Sequence, residues 1–497
     1  MMLLPVLRAH ARYLRDKPAL IDDAGTTTYG ELWDTACAIA ADLRWRGLQP
    51  GEPVALLLPP SSAYVAIVLG VMLAGGVAAP VNTRLSTTEV AEYLARLRPA
   101  LVWSDAAVDA ATSAAVIVSD SLDPVTLRRG AASGTSEVGA IAEPGARDGV
   151  IAFPTGGTTG LPKAALWSHG GLSAALLSTC MNVRTTRADT ELYFSPMYHL
   201  TLVTGLFGVL LAGGSARILP SFDAERVTSI VRAGGATRFF ATPVVIERIL
   251  ALAGDTLAAA GLSTVVFGAS RSAHDFAARL QAALPRTALM TGYGATEFGA
   301  ITRVFPDEIL RDNVGVGRPV AGVQVEVRGP DGAALPRGES GEICARSPMQ
   351  MLGYIGAAEA SPASGDGWIR SGDVGVLDDQ GYVHLRARMS ELIKTGGEGV
   401  YPVEVERVVV QHPSVFDAVV YGVEDVDWGE RVECAVIVAP GAVINADELR
   451  RHCAEQLGRY KVPKHFRVVS EFPRTSTLKL DRRALRDAAL AATAAAQ

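Results

Sequence analysis

Cysteine is scarce in this chain of 497 residues, and its few copies are scattered. The five cysteines form no CxxC pair, so the sequence predicts neither a disulfide framework nor a structural zinc site. A surplus of basic residues is also absent, because 46 lysines and arginines face 52 aspartates and glutamates. Proteins that bind nucleic acid normally carry a basic surface, so we expect no nucleic-acid partner.

Lysine is the rarer of the two basic residues, with six copies among the 46. A compositional drift toward arginine explains the many arginines, but it does not explain why six positions keep lysine. Lysine is a compact ammonium on a flexible stem, whereas the arginine guanidinium is a planar fork. The lysine positions are therefore worth inspecting for chemistry, and they are Lys17, Lys163, Lys394, Lys461, Lys464 and Lys479.

The sequence also lacks a clear membrane span or signal peptide. Residues 61–82 and 200–216 are uncharged, but each contains Gly-Gly. Each stretch predicts a buried helix, a tight turn and a buried strand. The N-terminus does not follow the charged-then-apolar order of a signal peptide. We therefore expect a cytoplasmic protein with no stable membrane insertion.

The order of the predicted elements indicates an α/β fold. VMLAGGVAAPV at 71–81 and VLLAGGSARILP at 209–220 both run from a helix end through Gly-Gly to a short strand, which suggests two related α/β subdomains. After about Gly322, alternating strands joined by Asp-Gly and Gln-Gly turns predict a small antiparallel β region. The last hundred residues mix short strands and helices, so we predict a small α+β C-terminal domain.

The strongest local motif is TGGTTGLPK at 155–163, which follows an apolar strand. Its three glycines let backbone amides turn inward, its three threonines add hydroxyl donors, and a lysine ends it. This combination predicts a cradle for a polyphosphate. The loop is not a Walker A motif, because it contains no GK[ST] and Pro162 precedes the lysine.

Two weaker motifs follow along the chain. In GYGATE at 292–297, glycines allow close approach to a flat ligand, Tyr293 can stack on a base, and Glu297 offers oxygen ligands to Mg²⁺. In WIRSGD at 368–373, Asp373 can accept hydrogen bonds from both hydroxyls of a ribose. Taken alone, each of these segments is also compatible with an ordinary turn.

Together and in this order, the three motifs resemble those of the adenylate-forming superfamily, which includes acyl- and aryl-CoA synthetases, adenylation domains of peptide synthetases and firefly luciferase. The family's phosphate loop reads T-S-G-T-T-G-x-P-K-G, its adenine motif Y-G-x-T-E and its ribose motif T-G-D. The resemblance covers nearly the whole chain. Further matching segments are 317–319, 338–343, Gly353-Tyr354, 396–398, 401–404 and 459–463.

The resemblance implies ATP, Mg²⁺ and coenzyme A as cofactors, and it implies three groups of nucleotide-binding residues. One group would hold the β- and γ-phosphates, the second would enclose the adenine, and the third would bind the ribose. They are, in that order, Thr155, Gly156, Gly157, Thr158, Thr159, Gly160 and Lys163; Gly268, Ala269, Ser270, Gly292, Tyr293 and Gly294; Asp373 and Arg388. Thr296 would contact the α-phosphate, and Glu297 would bind Mg²⁺.

The segment PRTSTLK at 473–479 matches the family's catalytic lysine at Lys479. Negative charge gathers on oxygens as the substrate carboxylate attacks the α-phosphorus, and a compact ammonium can bridge those oxygens to the carboxylate. His199, in FSPMYH, matches an aromatic or histidine position beside the acyl pocket. With Thr296 and Glu297, these two residues form the predicted catalytic set.

The family alternates between two conformations. A large domain, here 1–387, would bind ATP and the acid, and a small mobile domain, 388–497, would carry Lys479. Rotation about a hinge at Ser390 would withdraw Lys479 and open a pantetheine channel for the thioester step. The residues of that step are Lys394, Gly396 and Gly397.

The chain departs from the family pattern at four positions. Gly156 replaces the loop serine, Ala164 replaces the glycine after the loop lysine, and Leu478 replaces the glycine before the catalytic lysine. Ser390 replaces the usual charged hinge residue. These changes bear on the rate of adenylation and on the balance between the two domain orientations.

The predicted substrate is a hydrophobic carboxylic acid: fatty, aryl or polycyclic. No Asp or Glu occurs from 192 to 222, so the carboxylate that would hold an α-ammonium group is missing and an α-amino acid is not expected. The predicted lining of the acyl pocket is mostly apolar. It comprises His199, Val203, Gly268, Ala269, Phe298, Gly299, Ala300 and Ile301.

The implied reaction is an ATP-dependent, AMP-forming activation of the acid, followed by transfer of the acyl group to coenzyme A. One alternative is a stand-alone adenylation enzyme that loads a carrier-protein thiol or releases acyl-AMP. Only 14 residues separate Asp373 from Arg388, which leaves no room there for the insertion typical of fatty acyl-AMP ligases. A second alternative is a non-catalytic nucleotide-binding sensor. Whether the protein forms a homodimer is left open.

Overall fold

The structure is a computed structural model that describes residues 3–105, 115–118, 145–155, 162–253, 257, 261–269, 276–356, 366–474 and 480–496. Two compact units divide the chain. The first consists of Met1–Val325 and Ala345–Ile369, and the second consists of Glu326–Cys344 and Arg370–Gln497.

The strands lie mainly in four sheets. In chain order they are β1 (Pro18–Asp22), β2 (Gly25–Thr28), β3 (Pro53–Leu57), β4 (Val77–Pro80), β5 (Leu101–Ser104), β6 (Ala115–Val118), β7 (Gly149–Thr155), β8 (Lys163–Ser168), β9 (Thr190–Tyr193), β10 (Ser215–Ile218), β11 (Arg238–Ala241), β12 (Thr264–Phe267), β13 (Ala288–Ala295), β14 (Gly299–Val304), β15 (Arg318–Pro319), β16 (Gln324–Arg328), β17 (Ser340–Arg346), β18 (Gly353–Ile355), β19 (Ile369–Leu377), β20 (Val383–Arg388), β21 (Ile393–Thr395), β22 (Glu398–Val400), β23 (Val415–Asp425), β24 (Gly429–Val438) and β25 (His465–Val468).

The helices alternate with the strands through most of the first unit. They are α1 (Leu3–Tyr13), α2 (Tyr29–Trp45), α3 (Ser62–Ala74), α4 (Thr87–Leu97), α5 (His169–Val183), α6 (Gly208–Leu211), α7 (Ala224–Arg232), α8 (Pro243–Ala253), α9 (Phe276–Ala283), α10 (Pro402–Val409), α11 (Ala446–Gln456) and α12 (Arg482–Ala496). A π-helix spans Leu202–Phe207, and short 3₁₀ helices span Met389–Glu391 and Arg459–Lys461.

The first unit contains two sheets with mainly parallel cores. One has the order β18-β8-β7-β4-β3-β5-β6, and the other has the order β15-β14-β13-β12-β11-β9-β10-β1-β2. The two Gly-Gly segments fall in different sheets: α3, Gly75 and β4 belong to the first, and α6, Gly213 and β10 belong to the second. Both glycines have positive φ, of 86° and 79°, which a helix C-cap favours. The predicted pair of α/β subdomains is confirmed.

The two faces of the nine-stranded sheet differ in character. Val265, Leu289 and Val304 point to one face, where they pack with residues of α7, α8 and α9 in an apolar core. Because side chains alternate along a strand, the residues between them point to the other face. We call it the π-helix face, and it carries Glu191, Tyr193, Arg238, Phe240, Met290 and Arg303. A Cβ on Gly205 of the π-helix would lie 3.1 Å from Glu191 Oε1, so the π-helix covers this face.

The second unit confirms the predicted antiparallel region and the small α+β domain. One sheet has the order β16-β17-β19-β20, and the other has the order β22-β21-β24-β23 with β25 added to β24. The antiparallel sheet and the C-terminal region belong to the same compact unit. The boundary at 387/388 was predicted as the point about which the small domain rotates. It stays a prediction.

Among the residues that the structure describes, every helix is too short or too polar to cross a bilayer.

Candidate active site

The predicted phosphate loop joins the two strands of a hairpin. Thr155, at the end of β7, pairs with Lys163, at the start of β8, and the threonine is buried. The hairpin therefore brings the two ends of the loop together and anchors them in the seven-stranded sheet. The loop residues between them lie outside the described part of the chain; they include Gly156, Gly157, Thr158, Thr159 and Gly160.

Lys163 belongs to a cluster that the sequence order does not reveal. Its Nζ lies 5.3 Å from the centroid of the Tyr354 ring, within the range of a cation–π interaction. The Tyr354 hydroxyl donates a hydrogen bond of 3.0 Å to Glu297 Oε1. Tyr354 lies on β18 and pairs with Ala165, two residues along β8 from the lysine. An amine, a phenol and a carboxylate from three motifs thus stand next to one another.

The segment that carries Thr296 and Glu297 is held in place through its backbone. Trp167 Nε1 donates a hydrogen bond of 2.9 Å to the Thr296 carbonyl, and the Trp167 ring is fully buried. The Met351 amide donates a second bond, also of 2.9 Å, to the Glu297 carbonyl. Sequence reasoning missed Trp167, because it looks like any apolar strand residue. It matched Tyr354 to the family without giving it a role.

Glu297 fits a magnesium ion that is shared with a substrate. Mg²⁺ is commonly bound through one or two carboxylates together with phosphate oxygens. Glu297 is half-buried and lies close to Lys163 at the end of the phosphate hairpin, with Oε1 oriented by Tyr354. In the described part of the chain, no group of three or more His, Cys, Asp or Glu side chains is placed to form a separate metal cage. This donor set therefore suits Mg²⁺ when phosphate oxygens complete the coordination.

The adenine motif lies on β13, and its glycines are required by the neighbouring strand. A Cβ on Gly292 would collide with the Thr302 carbonyl, and one on Gly294 would collide with the Gly299 carbonyl. The sequence suggested that these glycines make room for a ligand, but the pairing with β14 already requires them. The half-buried Tyr293 donates its backbone N–H to Thr302 Oγ1 at 3.2 Å.

The second predicted adenine segment, which begins at Gly268, lies beside the first in space. A Cβ on Gly268 would lie 3.9 Å from the Gly292 carbonyl oxygen, so the two backbones are neighbours. Ala269 is exposed and has a φ of 62°, a left-handed conformation that is unusual for a residue other than glycine. Such outliers occur often at functional sites. Ser270 lies outside the described residues.

The predicted acyl-pocket residues occupy the π-helix and the start of β14. Val203 is fully buried in the π-helix, and His199 lies in the turn that leads into it, with its ring 4.7 Å from that of Tyr198. Gly299 has a φ of 72°, and a Cβ there would lie 3.3 Å from the Trp167 ring. The remaining members from this strand region are Phe298, Ala300 and Ile301, of which the first and last are buried.

The predicted ribose residues pair directly within the second unit. Asp373 on β19 is opposite Arg388 on β20, and Arg388 Nε donates a hydrogen bond of 2.8 Å to Asp373 Oδ1. Glu342 supports the part of β19 just before the aspartate, because its Oε1 accepts the Gly372 amide at 3.0 Å and its Oε2 accepts Arg370 Nε at 2.6 Å. Sequence reasoning missed this role of Glu342, although the residue lies in one of the matching segments.

The residues predicted for the thioester step form a β-hairpin. Lys394 is exposed on β21, and Gly396 and Gly397 make the turn to β22 with φ values of 59° and 83°. Two consecutive positive φ angles suit glycine, so the turn itself requires this pair. The predicted hinge falls in the 3₁₀ helix Met389–Glu391, where the Ser390 side chain is outside the described atoms. Lys479 is also outside the described residues.

The fold and these contacts define a class of protein. Two α/β sheets, a Gly/Thr-rich hairpin loop and a small C-terminal α+β domain are the architecture of an adenylate-forming enzyme. Residues 7–355 match the family described as AMP-binding enzyme, and residues 404–479 match the AMP-binding enzyme C-terminal domain. The chain belongs to the AMP-binding enzyme family, and it is an AMP-forming acid–thiol ligase.

Similar proteins cover nearly the whole chain. A feruloyl-CoA synthase from Streptomyces sp is 32% identical, covering 91% of this chain and 92% of its own length. The long-chain-fatty-acid–CoA ligase FadD13 of Mycobacterium tuberculosis is 29% identical, covering 93% of this chain and 92% of its own. The crystal structure of ATP-bound MatB from Rhodopseudomonas palustris is 30% identical, with a TM-score of 0.87, and covers 98% of this chain and 99% of that one.

Proposed function

We propose that this protein uses ATP to activate a carboxylic acid with an apolar body and transfers the acyl group to coenzyme A. The contact that carries the proposal is the Lys163–Tyr354–Glu297 cluster at the end of the phosphate hairpin, which joins a phosphate-binding cation to a carboxylate suited to Mg²⁺. The buried Val203, Phe298 and Ile301 support an apolar acyl group. Relatives that are named for ferulate and for long-chain fatty acids agree with this substrate class.

In the first step, a carboxylate oxygen of the acid bonds to the α-phosphorus of ATP. The bond from that phosphorus to the pyrophosphate oxygen breaks, which leaves acyl-AMP and pyrophosphate. Lys163 and the loop amides would neutralise the β- and γ-phosphates, and Lys479 would bridge the carboxylate and the α-phosphate. Asp373 and Arg388 would orient the ribose. When bound at Glu297, Mg²⁺ neutralises phosphate charge and polarises the phosphoryl oxygens.

In the second step, the coenzyme A thiolate attacks the acyl carbon, and AMP leaves. We assign Lys394, Gly396 and Gly397 to this step, after rotation of 388–497 about Ser390. The exposed position of Lys394 on a hairpin next to two turn glycines supports the assignment, because a chain of pantetheine width can pass close to such a backbone. We place the enzyme in the cytoplasm, where ATP and coenzyme A occur together.

Tyr354→Phe tests the cluster at Glu297. The phenylalanine ring still lies under Lys163, but the hydrogen bond that orients Glu297 is lost. We expect the Mg²⁺ concentration needed for half-maximal pyrophosphate release to rise about tenfold, because a hydrogen bond to a charged group contributes about 1.5 kcal/mol. Tyr13→Phe changes an exposed tyrosine and serves as the matched control. An unchanged Mg²⁺ requirement in Tyr354→Phe would contradict this role.

The function itself is tested by ATP–pyrophosphate exchange with a panel of acids. The panel contains long-chain fatty acids, arylpropenoic acids, polycyclic acids, acetate and an α-amino acid, each with and without coenzyme A. We expect exchange with acids that have an apolar body, and a thioester only when coenzyme A is present. A lower KM for acetate than for every apolar acid would refute the substrate class. Exchange without any thioester would indicate a carrier-protein acceptor or acyl-AMP release, and no exchange with any acid would favour a sensor.

A further inference from the structure

Arg303, on β14, is a buried guanidinium group with no carboxylate partner among the described residues. Its side chain is 7% exposed, and its Nε makes no hydrogen bond to any described residue. Burial, with a contribution from nearby Arg238, lowers the pKa of Arg303 to about 10, so the group still carries its charge at neutral pH. An unpaired buried charge is costly, and proteins usually pair such a charge or use it.

The strand register places Arg303 beside the predicted acyl pocket. Arg303 is opposite Gly292, and Ala300 is opposite Gly294. The register shifts between Tyr293 and Gly294, so Ala300 is three residues and Ile301 two residues before Arg303 on β14. Two residues along a strand span about 7 Å. Arg303 therefore lies about 7 Å along β14 from Ile301, a buried residue of the predicted pocket.

The surroundings of Arg303 leave a positive charge on the π-helix face. Glu191 is buried there, but Arg238 Nε donates a hydrogen bond of 2.7 Å to its Oε2, so that carboxylate is already paired. Two arginines thus accompany one buried glutamate. The face is covered by the π-helix Leu202–Phe207, and π-helical segments occur frequently at functional sites. The same helix holds Val203, the predicted pocket residue.

We propose that Arg303 binds a second carboxylate at the far end of the acid substrate. The inference rests on the proposed function and narrows it: the substrate is a dicarboxylic acid with an apolar middle. One carboxylate is activated at the α-phosphate, and the other accepts hydrogen bonds from Arg303 in the dry interior of the π-helix face. A guanidinium group can hold a carboxylate through two parallel hydrogen bonds, which selects both charge and geometry.

The test compares matched acids in the wild type and in Arg303→Met. The pairs are α,ω-dicarboxylic acids against monocarboxylic acids of equal chain length, and 4-carboxycinnamic acid against 4-methylcinnamic acid. We expect kcat/KM of the wild type to favour the diacid by more than tenfold in at least one pair. In Arg303→Met that preference should fall by about 10- to 100-fold, because a charge-assisted hydrogen bond is lost. Arg303→Lys should retain part of it.

Controls separate this role from a purely structural one. Arg311→Met changes an exposed arginine of the same unit and should keep the preference of the wild type. If Arg303→Met folds and lowers kcat/KM equally for both acids of every pair, the proposal is overturned.

A binding measurement distinguishes failure of this proposal from failure of the proposed function. If no acid drives exchange, the proposed function fails. The diacid could still raise the melting temperature of the wild type but not that of Arg303→Met. That result would support the site. The absence of any such rise would overturn the site as well.

Discussion

Lys479→Ala is expected to slow acyl-AMP formation by about 10²- to 10³-fold, the usual cost of removing one group that stabilises charge in a transition state. The lysine would meet the negative charge that gathers on the carboxylate and α-phosphate oxygens. Pyrophosphate release in a single turnover with saturating ATP and acid measures this step. Thioester formation from preformed acyl-AMP should be nearly unchanged, because the proposed rotation would withdraw Lys479 from the site during that half-reaction.

Two further variants make the Lys479 result specific. Lys394→Ala should show the opposite pattern, with normal pyrophosphate release and slow thioester formation. Lys464→Ala removes a lysine to which we assign no chemical role and should leave adenylation unchanged. If Lys479→Ala retained wild-type pyrophosphate release, the assignment of the catalytic lysine would be wrong. Leu478, which replaces the usual glycine, would then be the first place to look for an altered loop.

Arg482→Met is expected to destabilise the second unit by about 3 kcal/mol or more, because it would remove the positive charge that neutralises a buried carboxylate. Arg482 donates hydrogen bonds of 2.8 Å to Glu406 and to Glu391, and Glu406 is fully buried. Burial alone would lower the pKa of Arg482, but the carboxylates of Glu406 and Glu391 raise it, so the guanidinium stays charged. Arg482 begins α12, and Glu391 lies in the predicted hinge helix.

Hydrogen exchange read by mass spectrometry can measure this loss within the second unit. A loss of about 3 kcal/mol corresponds to opening roughly a hundred times more often, so peptides covering α10 and β23 should exchange that much faster. Arg483→Met is the matched control, since this neighbouring arginine is exposed. Equal exchange in Arg482→Met and Arg483→Met would show that the buried network contributes little to stability.

The scarcity of lysine proved a partial guide. Lys163 lies in the cluster with Tyr354 and Glu297, and Lys394 lies on the turn hairpin. The structure gives Lys17 a structural role, because its Nζ donates hydrogen bonds to the backbone carbonyls of Arg187 and Gly213. Burial lowers the pKa of Lys17, with a smaller contribution from Arg187. A contact across roughly 200 residues of sequence leaves no mark in the residues around Lys17.

Contiguous motifs could be interpreted from the sequence alone. The phosphate loop, the Gly-Gly caps before β4 and β10, and the antiparallel region after Gly322 are all local patterns, in which neighbouring residues determine the backbone. The α/β class and the family resemblance follow from their order. The resemblance assigned Asp373 and Arg388 together to the ribose, and a short hairpin between β19 and β20 places the two opposite each other.

The sequence by itself thus determined the class of enzyme, the nucleotide motifs and most residues of the predicted site, because each depends on a short stretch of chain. Only the tertiary structure decided which stretches meet. It placed Tyr354 between Lys163 and Glu297, and it showed that the glycines of the adenine motif are required by strand pairing. It also buried Arg303 without a carboxylate partner among the described residues. Burial and partners depend on residues far away along the chain, and therefore on the fold.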